Sequence, residues 1–168
     1  RTFAADILDR IQMFLYRRYI DCFVNFQGYT RMFGKKAIPL DNAISADGIR
    51  QKAFRPPDGC IRLIAVASME AYHGYERILQ GLSTYRRTKG SEAVPIQFHL
   101  VGEGRQTAFY KDLTRQLGLE DAVFFYGKKA GLELDLLFNV CDLAVGTLGA
   151  YKIGLTKMSP LKTKEYCL

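Results

Sequence analysis

The 168-residue sequence is long enough for one globular domain, and its hydrophobic content of 48% is ordinary for a packed core. No apolar run reaches the roughly 18–20 residues of a membrane span, no signal peptide is visible, and four scattered cysteines with two histidines argue against a zinc site. The net charge of +7 favours anionic partners such as nucleotides, nucleic acid or an acidic membrane face, without selecting one.

The first third of the chain predicts a helix, two strands and a linker. Residues 3–20 carry apolar side chains at helical spacing with arginines on the remaining face, which is typical of a basic amphipathic helix. We expect this helix to pack on a neighbouring domain, with contact to an anionic membrane as the alternative. Short strands are predicted at Cys22–Phe26 and Lys36–Pro39, and the polar stretch Asp41–Gly59 has the composition of a linker.

From Ile61 onward, apolar strand patterns alternate with helical patterns. Phe109, Leu113 and Leu117 recur along one face of a helix that Gly118 ends. The alternation predicts an α/β fold, a doubly wound, mostly parallel Rossmann-like sheet. The predicted strands are residues 61–68, 96–101, 123–126 and 142–146, and the other predicted helices are residues 74–85, residues 131–140 and a last helix opened by Ser159-Pro160.

Ligands of open parallel sheets bind beyond the carboxyl ends of the strands. Small residues stand at these ends and would let a ligand approach the backbone closely. A dinucleotide fingerprint is not supported, because Thr107 replaces its third glycine and Lys128 stands near the place of the ribose-binding acid. The predicted strand ends are Ala67-Ser68, Gly102-Glu103-Gly104, Gly127-Lys128 and Gly146-Thr147.

The last helix combines features that suit a nucleotide. Ser159 is a good N-cap, and Lys162 brings positive charge to the free N–H groups of the helix start, where a phosphate would bind. Glu165 follows on nearly the same face and could accept hydrogen bonds from ribose hydroxyls. An exposed helix start with an ordinary Lys–Glu pair is the alternative.

A second candidate is Tyr72–Arg77, directly after the first strand of the predicted sheet. This segment places His73 at a helix N-terminus on the binding edge of that sheet. A lone histidine is more often structural than functional. Only the position of His73 at the binding edge therefore favours a functional role.

The segments IRLIAVASMEAYHGYERILQGL, PIQFHLVGEG, VFFYG and SPLKTKEY, in this order, resemble the C-terminal, donor-binding half of bacterial GT-B glycosyltransferases. The resemblance is to the family 4 type, particularly that of capsule and surface-polysaccharide pathways, and covers roughly Lys36–Leu168. It implies that residues 1–40 are the tail of a missing N-terminal acceptor domain and 41–59 a linker. Residues 60–168 would be a Rossmann-like nucleotide-sugar-binding domain, incomplete at its C-terminus. In Pro39–Ser45, which resembles the segment opening the second domain, Asn42 matches the family and Ala43 departs from its Gly.

The resemblance also implies a donor site. Glu165 matches the second Glu of the family's Glu-x7-Glu pattern, which binds the donor ribose, whereas Lys157 stands at the first Glu. Ser68 and His73 stand where the family has its phosphate-binding Arg and Lys, so Lys162 would supply part of the lost charge. The expected donor-binding residues are Ser68, His73, Gly74, Gly102, Gly104, Lys128 (near the base), Ser159, Leu161, Lys162 and Glu165; the catalytic residues are unknown.

We therefore predict a glycosyltransferase donor domain that binds a nucleoside-diphosphate sugar for transfer to a glycan or lipid-linked acceptor. No metal or other cofactor is expected, because the chain contains no Asp-x-Asp, and this chain alone should bind without turnover. A cytoplasmic location is expected, with peripheral contact to the inner membrane face left open. The alternatives are a nucleotide-sugar epimerase of the same fold and a basic nucleic-acid-binding domain, although the scattered basic residues argue against nucleic acid as a partner.

Overall fold

The computed structural model describes residues 3–45, 47, 51–52, 54–155 and 158–167, with side chains from residue 7 onward. The chain forms two compact units. The first contains Arg1–Ala43 and Lys157–Ser159, and the second contains Ile44–Thr156 and Pro160–Leu168. Within the described part of the chain, no helix has the length and apolar character needed to cross a membrane.

The first unit contains one long helix and a small mixed sheet. The predicted helix is confirmed as α1, Phe3–Tyr16, followed by a 3-10 turn. Both predicted strands are present and pair in parallel, and a short additional strand pairs antiparallel with the second of them. The strands are β1 (Cys22–Asn25), β2 (Arg31–Met32) and β3 (Lys35–Pro39), in the order β1-β3-β2.

From Ile7 onward, most apolar side chains of α1 are exposed. Their exposed fractions run from 43% at Ile7 to 71% at Tyr19, the last residue of the 3-10 turn. Such a continuous apolar surface on one helix is typical of a face that contacts a partner. The exposed residues are Ile7, Leu8, Ile11, Phe14, Leu15, Tyr16 and Tyr19.

The second unit is built on a four-stranded parallel sheet, as the sequence predicts. Every strand pair in it is parallel, and the two central strands end side by side at Val66 and Val101. Their carboxyl ends therefore meet at one edge. The strands are β4 (Ile61–Val66), β5 (Ile96–Val101), β6 (Val123–Phe125) and β7 (Leu143–Ala144), in the order β6-β5-β4-β7.

Helices cover both faces of this sheet. Alternate strand residues point to opposite faces, so Ala65 and Ile64 belong to different core clusters. The first cluster contains Leu79 and Leu82 of one helix, and the second is packed by Phe138 of another. The helices are α2 (Glu76–Lys89), α3 (Thr107–Gln116), α4 (Leu132–Val140) and α5 (Leu161–Glu165).

The inward face of α3 differs from the prediction at one residue. Phe109 is 47% exposed, whereas Tyr110 and Thr114 are buried and Leu113 and Leu117 pack against the core. Residues three, four and seven positions after Tyr110 share its face, while Phe109 is turned away by about 100°. The four-residue spacing was present in the sequence, but it did not identify which face the sheet would cover.

The buried hydroxyl of Tyr110 gives a first prediction. It makes no hydrogen bond of good geometry among the described residues, although the Tyr75 amide lies near it, and burial and then the Glu76 carboxylate raise the pKa of Tyr110 to about 12. We expect Tyr110→Phe to raise the free energy of unfolding by about 1 kcal/mol, because an unpaired buried hydroxyl costs desolvation energy. Urea denaturation measures the change, and a loss of stability would show that the hydroxyl is bonded in solution.

Candidate functional site

Three of the four strand ends predicted to bind a ligand, those of β4, β5 and β6, are joined by hydrogen bonds. The amide of Gly102, after β5, donates to the carbonyl of Gly127, after β6, at 2.7 Å. The amide of Gln106 donates to the carbonyl of Met69, after β4, at 2.8 Å. The turns that follow three neighbouring strands thus form one hydrogen-bonded group at the carboxyl edge of the sheet.

Gly102 and Gly104 are required by the backbone beside them. A Cβ on Gly102 would lie 2.0 Å from the carbonyl oxygen of Ala67, and one on Gly104 would lie 1.6 Å from that of Ser68. The amide of Gly104 also donates to the Thr107 hydroxyl at 2.9 Å. Since the amides of both glycines already have acceptors, neither N–H is free to bind a diphosphate.

His73 lies in a 3-10 turn, Ala71–His73, between β4 and α2. The amide of Glu70 donates to His73 Nδ1 at 2.9 Å, so the neutral ring carries its proton on Nε2. Burial, and then the nearby Lys162 ammonium, lower the pKa of His73 to about 4. At neutral pH, His73 is therefore an uncharged N–H donor and does not replace the positive charge of a lysine.

The segment after β7 holds the His73 turn in place. The amide of Leu148 donates to the carbonyl of His73 at 2.9 Å, and that of Gly149 donates to Tyr72 at 3.0 Å. Gly74 has a positive φ of 69°, and a Cβ there would lie 2.7 Å from the Gly149 nitrogen. Gly149 could not be recognised from the sequence, because a glycine beyond a strand does not show which backbone it contacts.

The Lys162 ammonium lies near this turn. It is half-buried and donates to the hydroxyl of Tyr75 at 3.0 Å. Burial lowers the pKa of Lys162 to about 8, and no ion pair within the described ranges involves it. The hydroxyl of Tyr166 accepts a hydrogen bond from the Val66 amide at 3.1 Å, which ties α5 to the end of β4.

The predicted start of the last helix, with Ser159 as N-cap and Pro160 as the first helical residue, is wrong by one residue. The helix α5 begins at Leu161, and Pro160 occupies the cap position with extended backbone and no side-chain cap hydrogen bond. Ser159 therefore is not the N-cap; it belongs to the first compact unit, where its carbonyl accepts a hydrogen bond from the Asn42 side chain. The ψ of Pro160 is 137°, outside the helical range, and its carbonyl accepts a hydrogen bond from the Thr163 amide at 3.2 Å, so the helix starts one residue later.

A cavity of about 570 Å³ lies against β4, β7, α4 and α5. Lys162 and Glu165 line it, together with apolar side chains such as Val66 and Phe138. The strand-end glycines and His73 do not line this cavity. Lys162 does line it, and the hydrogen bond from Lys162 to Tyr75 links the cavity to the His73 turn. The remaining lining residues are Gln51, Lys52, Ile64, Leu132, Leu134, Asp135, Asn139, Cys141, Asp142, Leu143, Ala144 and Tyr166.

The other predicted residues lie at the surface. Ser68 and Lys128 are exposed, and the side chain of Leu161 is 49% exposed. Lys157 lies outside the described residues. Across the described ranges, no group of three or more His, Cys, Asp or Glu side chains is placed to hold a metal ion.

The profile of the family "Glycosyl transferases group 1" matches residues 49–153, more than half of the chain. No curated protein sequence matches significantly.

Several solved structures are similar at low identity. Anabaena HepE in complex with UDP and glucose is 17% identical over 80% of this chain and 40% of its own, with a TM-score of 0.49. The lipopolysaccharide outer core galactosyltransferase WaaB is 18% identical over 67% of this chain and 32% of its own, with a TM-score of 0.48. The C-terminal domain of LpcC from Francisella tularensis, a glycosyl transferase group 1 family protein, is 17% identical over 50% of this chain and 44% of its own, with a TM-score of 0.40.

In each of these comparisons the chain spans less than half of the solved structure. The family match is independent of these structures, and it covers the whole parallel sheet from β4 to β7. By this match, the chain belongs to the group 1 glycosyl transferases.

Proposed function

We propose that this chain is the donor-binding domain of a GT-B glycosyltransferase of the family 4 type, acting in capsule or surface-polysaccharide synthesis. It would bind a nucleoside-diphosphate sugar in the cytoplasm for transfer to a glycan or lipid-linked acceptor. The observation that carries this proposal is Lys162, a half-buried ammonium without a carboxylate partner among the described residues. Family membership favours this function over the epimerase and nucleic-acid-binding alternatives.

The arrangement of side chains supports a specific orientation of the donor. The diphosphate would lie on the Lys162 ammonium, with the His73 Nε2–H as a second, uncharged donor. Glu165, which lines the same cavity as Lys162, would accept hydrogen bonds from the ribose, and the base would lie near Gly127-Lys128. In this proposal Lys162 stabilises the negative charge of the departing nucleoside diphosphate, and no metal ion or other cofactor takes part.

A binding screen tests the proposal. The full chain is titrated calorimetrically, and melted, with uridine, guanosine, adenosine and cytidine diphosphates and their common sugar conjugates, with and without EDTA. A ligand at 100 times its dissociation constant should stabilise the protein by about 2.7 kcal/mol, which a thermal shift reveals. Binding of one base, unaffected by EDTA, supports the proposal. Absence of binding by every diphosphate contradicts it.

The assignment of Glu165 gives a separate prediction. We expect Glu165→Gln to weaken binding of the preferred ribonucleoside diphosphate by about 1–3 kcal/mol, the usual cost of losing a hydrogen bond to a charged group. The 2′-deoxy form of the same nucleotide should lose less on this substitution, because part of the interaction is already absent. Equal losses of affinity for both nucleotides would show that Glu165 does not bind the ribose. Glu120→Gln, at an exposed residue after α3, is the matched control.

We also propose that the apolar face of α1 packs against the acceptor-binding domain of the complete enzyme. The exposed apolar side chains of α1 support this, because apolar surface of this extent marks a contact site. Co-sedimentation with vesicles of phosphatidylglycerol and of phosphatidylcholine tests the alternative. Salt-sensitive binding to the anionic vesicles alone would indicate that α1 contacts a membrane instead.

A further inference from the structure

Tyr75 lies between the two groups proposed to bind the diphosphate. It directly precedes α2 and its side chain is fully buried. Its ring is stacked on the His73 imidazole, with centroids 5.6 Å apart and planes at 19°. Its hydroxyl accepts a hydrogen bond from the Lys162 ammonium at 3.0 Å. One residue thus contacts both His73 and Lys162.

The ring of Tyr75 is held firmly by the core. It meets Phe98 edge-on with centroids 5.8 Å apart, and it lies 5.9 Å from the ring of Tyr110. Close packing of this kind fixes a side chain in one rotamer, so the hydroxyl has a defined position at the end of a rigid ring.

The hydroxyl matters because lysine is flexible. A lysine side chain loses up to about 2 kcal/mol of rotamer entropy when it is held in place. Among the described residues, the Tyr75 oxygen is the one acceptor within hydrogen-bond distance of the Lys162 ammonium. An ammonium has three N–H donors, so one bond to Tyr75 restricts the group and leaves two donors for a ligand.

We propose that Tyr75 is a positioning residue for the diphosphate: its hydroxyl holds the Lys162 ammonium, and its ring holds the His73 imidazole beside it. This inference rests on the proposed function, and it assigns a role to a residue that the sequence analysis treated as part of a helix start. The alternative is that Tyr75 only fills the core.

Tyr75→Phe separates the two roles, because it keeps the ring and removes only the hydroxyl. Tyr110→Phe is the matched control, a buried tyrosine in contact with the same ring whose hydroxyl has no partner among the described residues. In calorimetric titrations with uridine, guanosine, adenosine and cytidine diphosphates, we expect Tyr75→Phe to weaken binding about tenfold. Tyr110→Phe should bind like the unmodified protein, and thermal melts establish that both variants are folded.

A double-mutant cycle shows whether Tyr75 acts through Lys162. In a Lys162→Met background, Tyr75→Phe should cause no further loss of affinity, because the group that it positions is already absent. Unchanged affinity of the single Tyr75→Phe variant, or an equal loss in the Lys162→Met background, would overturn the inference.

A readout without nucleotide keeps this inference distinct from the proposed function. The pKa of the Lys162 ammonium is measured by NMR of 13C-labelled lysine in the unmodified protein and in Tyr75→Phe. We expect a lower pKa in Tyr75→Phe, since the charged form loses an acceptor; an identical pKa would overturn the positioning role even if no diphosphate binds. The titratable groups that lie near Lys162 or line the same cavity are His73, Tyr75, Lys52, Asp135, Cys141, Asp142, Glu165 and Tyr166.

Discussion

Lys162→Met is expected to weaken nucleoside-diphosphate binding by about 10-fold to 100-fold, the cost of losing a hydrogen bond between charged groups. The same substitution should change the free energy of unfolding by less than this, about 1 kcal/mol at most, because it removes a half-buried charge without a carboxylate partner in the described structure but also leaves the buried Tyr75 hydroxyl without its donor. Loss of binding that exceeds any loss of stability is the signature of a group placed for a ligand. Calorimetry and urea denaturation measure the two quantities.

The pH dependence gives a second readout for Lys162. Its pKa in the folded protein is about 8, below the ordinary value of 10.5. Between these values the unfolded chain binds the proton that the folded chain has released, so the Lys162 contribution to stability rises with pH. Diphosphate affinity should change in the opposite direction and fall as pH rises above about 8, because the ligand needs the charged ammonium.

Lys111→Met is the matched control for both measurements. Lys111 is exposed on α3, and its ammonium lies 5.7 Å from the centre of the Phe125 ring. The substitution makes the same change in net charge, so it corrects for long-range attraction of the anionic ligand. If Lys111→Met reduces affinity as much as Lys162→Met does, the effect comes from net charge and the site assignment is wrong.

The parallel sheet could be predicted from the sequence because its signals are local. Each strand is a short apolar run, and small residues follow it before the next helix, as in Ile96–Val101 followed by Gly102. Strand and helix ends differ from the predicted bounds by a few residues, whereas the errors at Phe109 and Ser159 are of another kind. Helical spacing does not show which face the sheet covers, and cap preferences do not decide between a serine and the proline after it.

The candidate site could be predicted only in part. Lys162 and His73 were recognised because a charge and an imidazole stand out at the ends of elements. Tyr75 was missed because an aromatic residue before a helix is an ordinary core residue, and its role depends on a lysine 87 positions later in the chain. Gly102 was predicted to lie at the binding edge because it is a small residue after a strand. The reason that it must be glycine is the nearby Ala67 carbonyl oxygen, whose position no local sequence pattern shows.

Gly102→Ala is expected to destabilise the protein by about 3 kcal/mol or more, through overpacking against rigid backbone together with an unfavourable φ. Gly102 has a φ of 112°, and an added Cβ would lie 2.0 Å from the Ala67 carbonyl oxygen. The Ala67 amide is bonded to Val101 at 2.9 Å, so this backbone cannot move without disturbing the β4–β5 junction. Diphosphate binding should weaken as well, because the loop that begins at Ala67 continues into the His73 turn.

Two further glycines separate the causes of this effect. Gly118→Ala places a side chain at a φ of 62° with no atom within 4 Å, so it should cost only the conformational strain of about 1–2 kcal/mol. Gly81→Ala, in α2 with open space around it, should stabilise the protein by about 0.5–1 kcal/mol, because alanine favours a helix interior. Urea denaturation of the three variants should therefore rank Gly81→Ala above Gly118→Ala, and Gly118→Ala above Gly102→Ala. If Gly102→Ala were no less stable than Gly118→Ala, the turn after β5 would not press against β4, and the strand ends would not form the compact edge on which the proposed site depends.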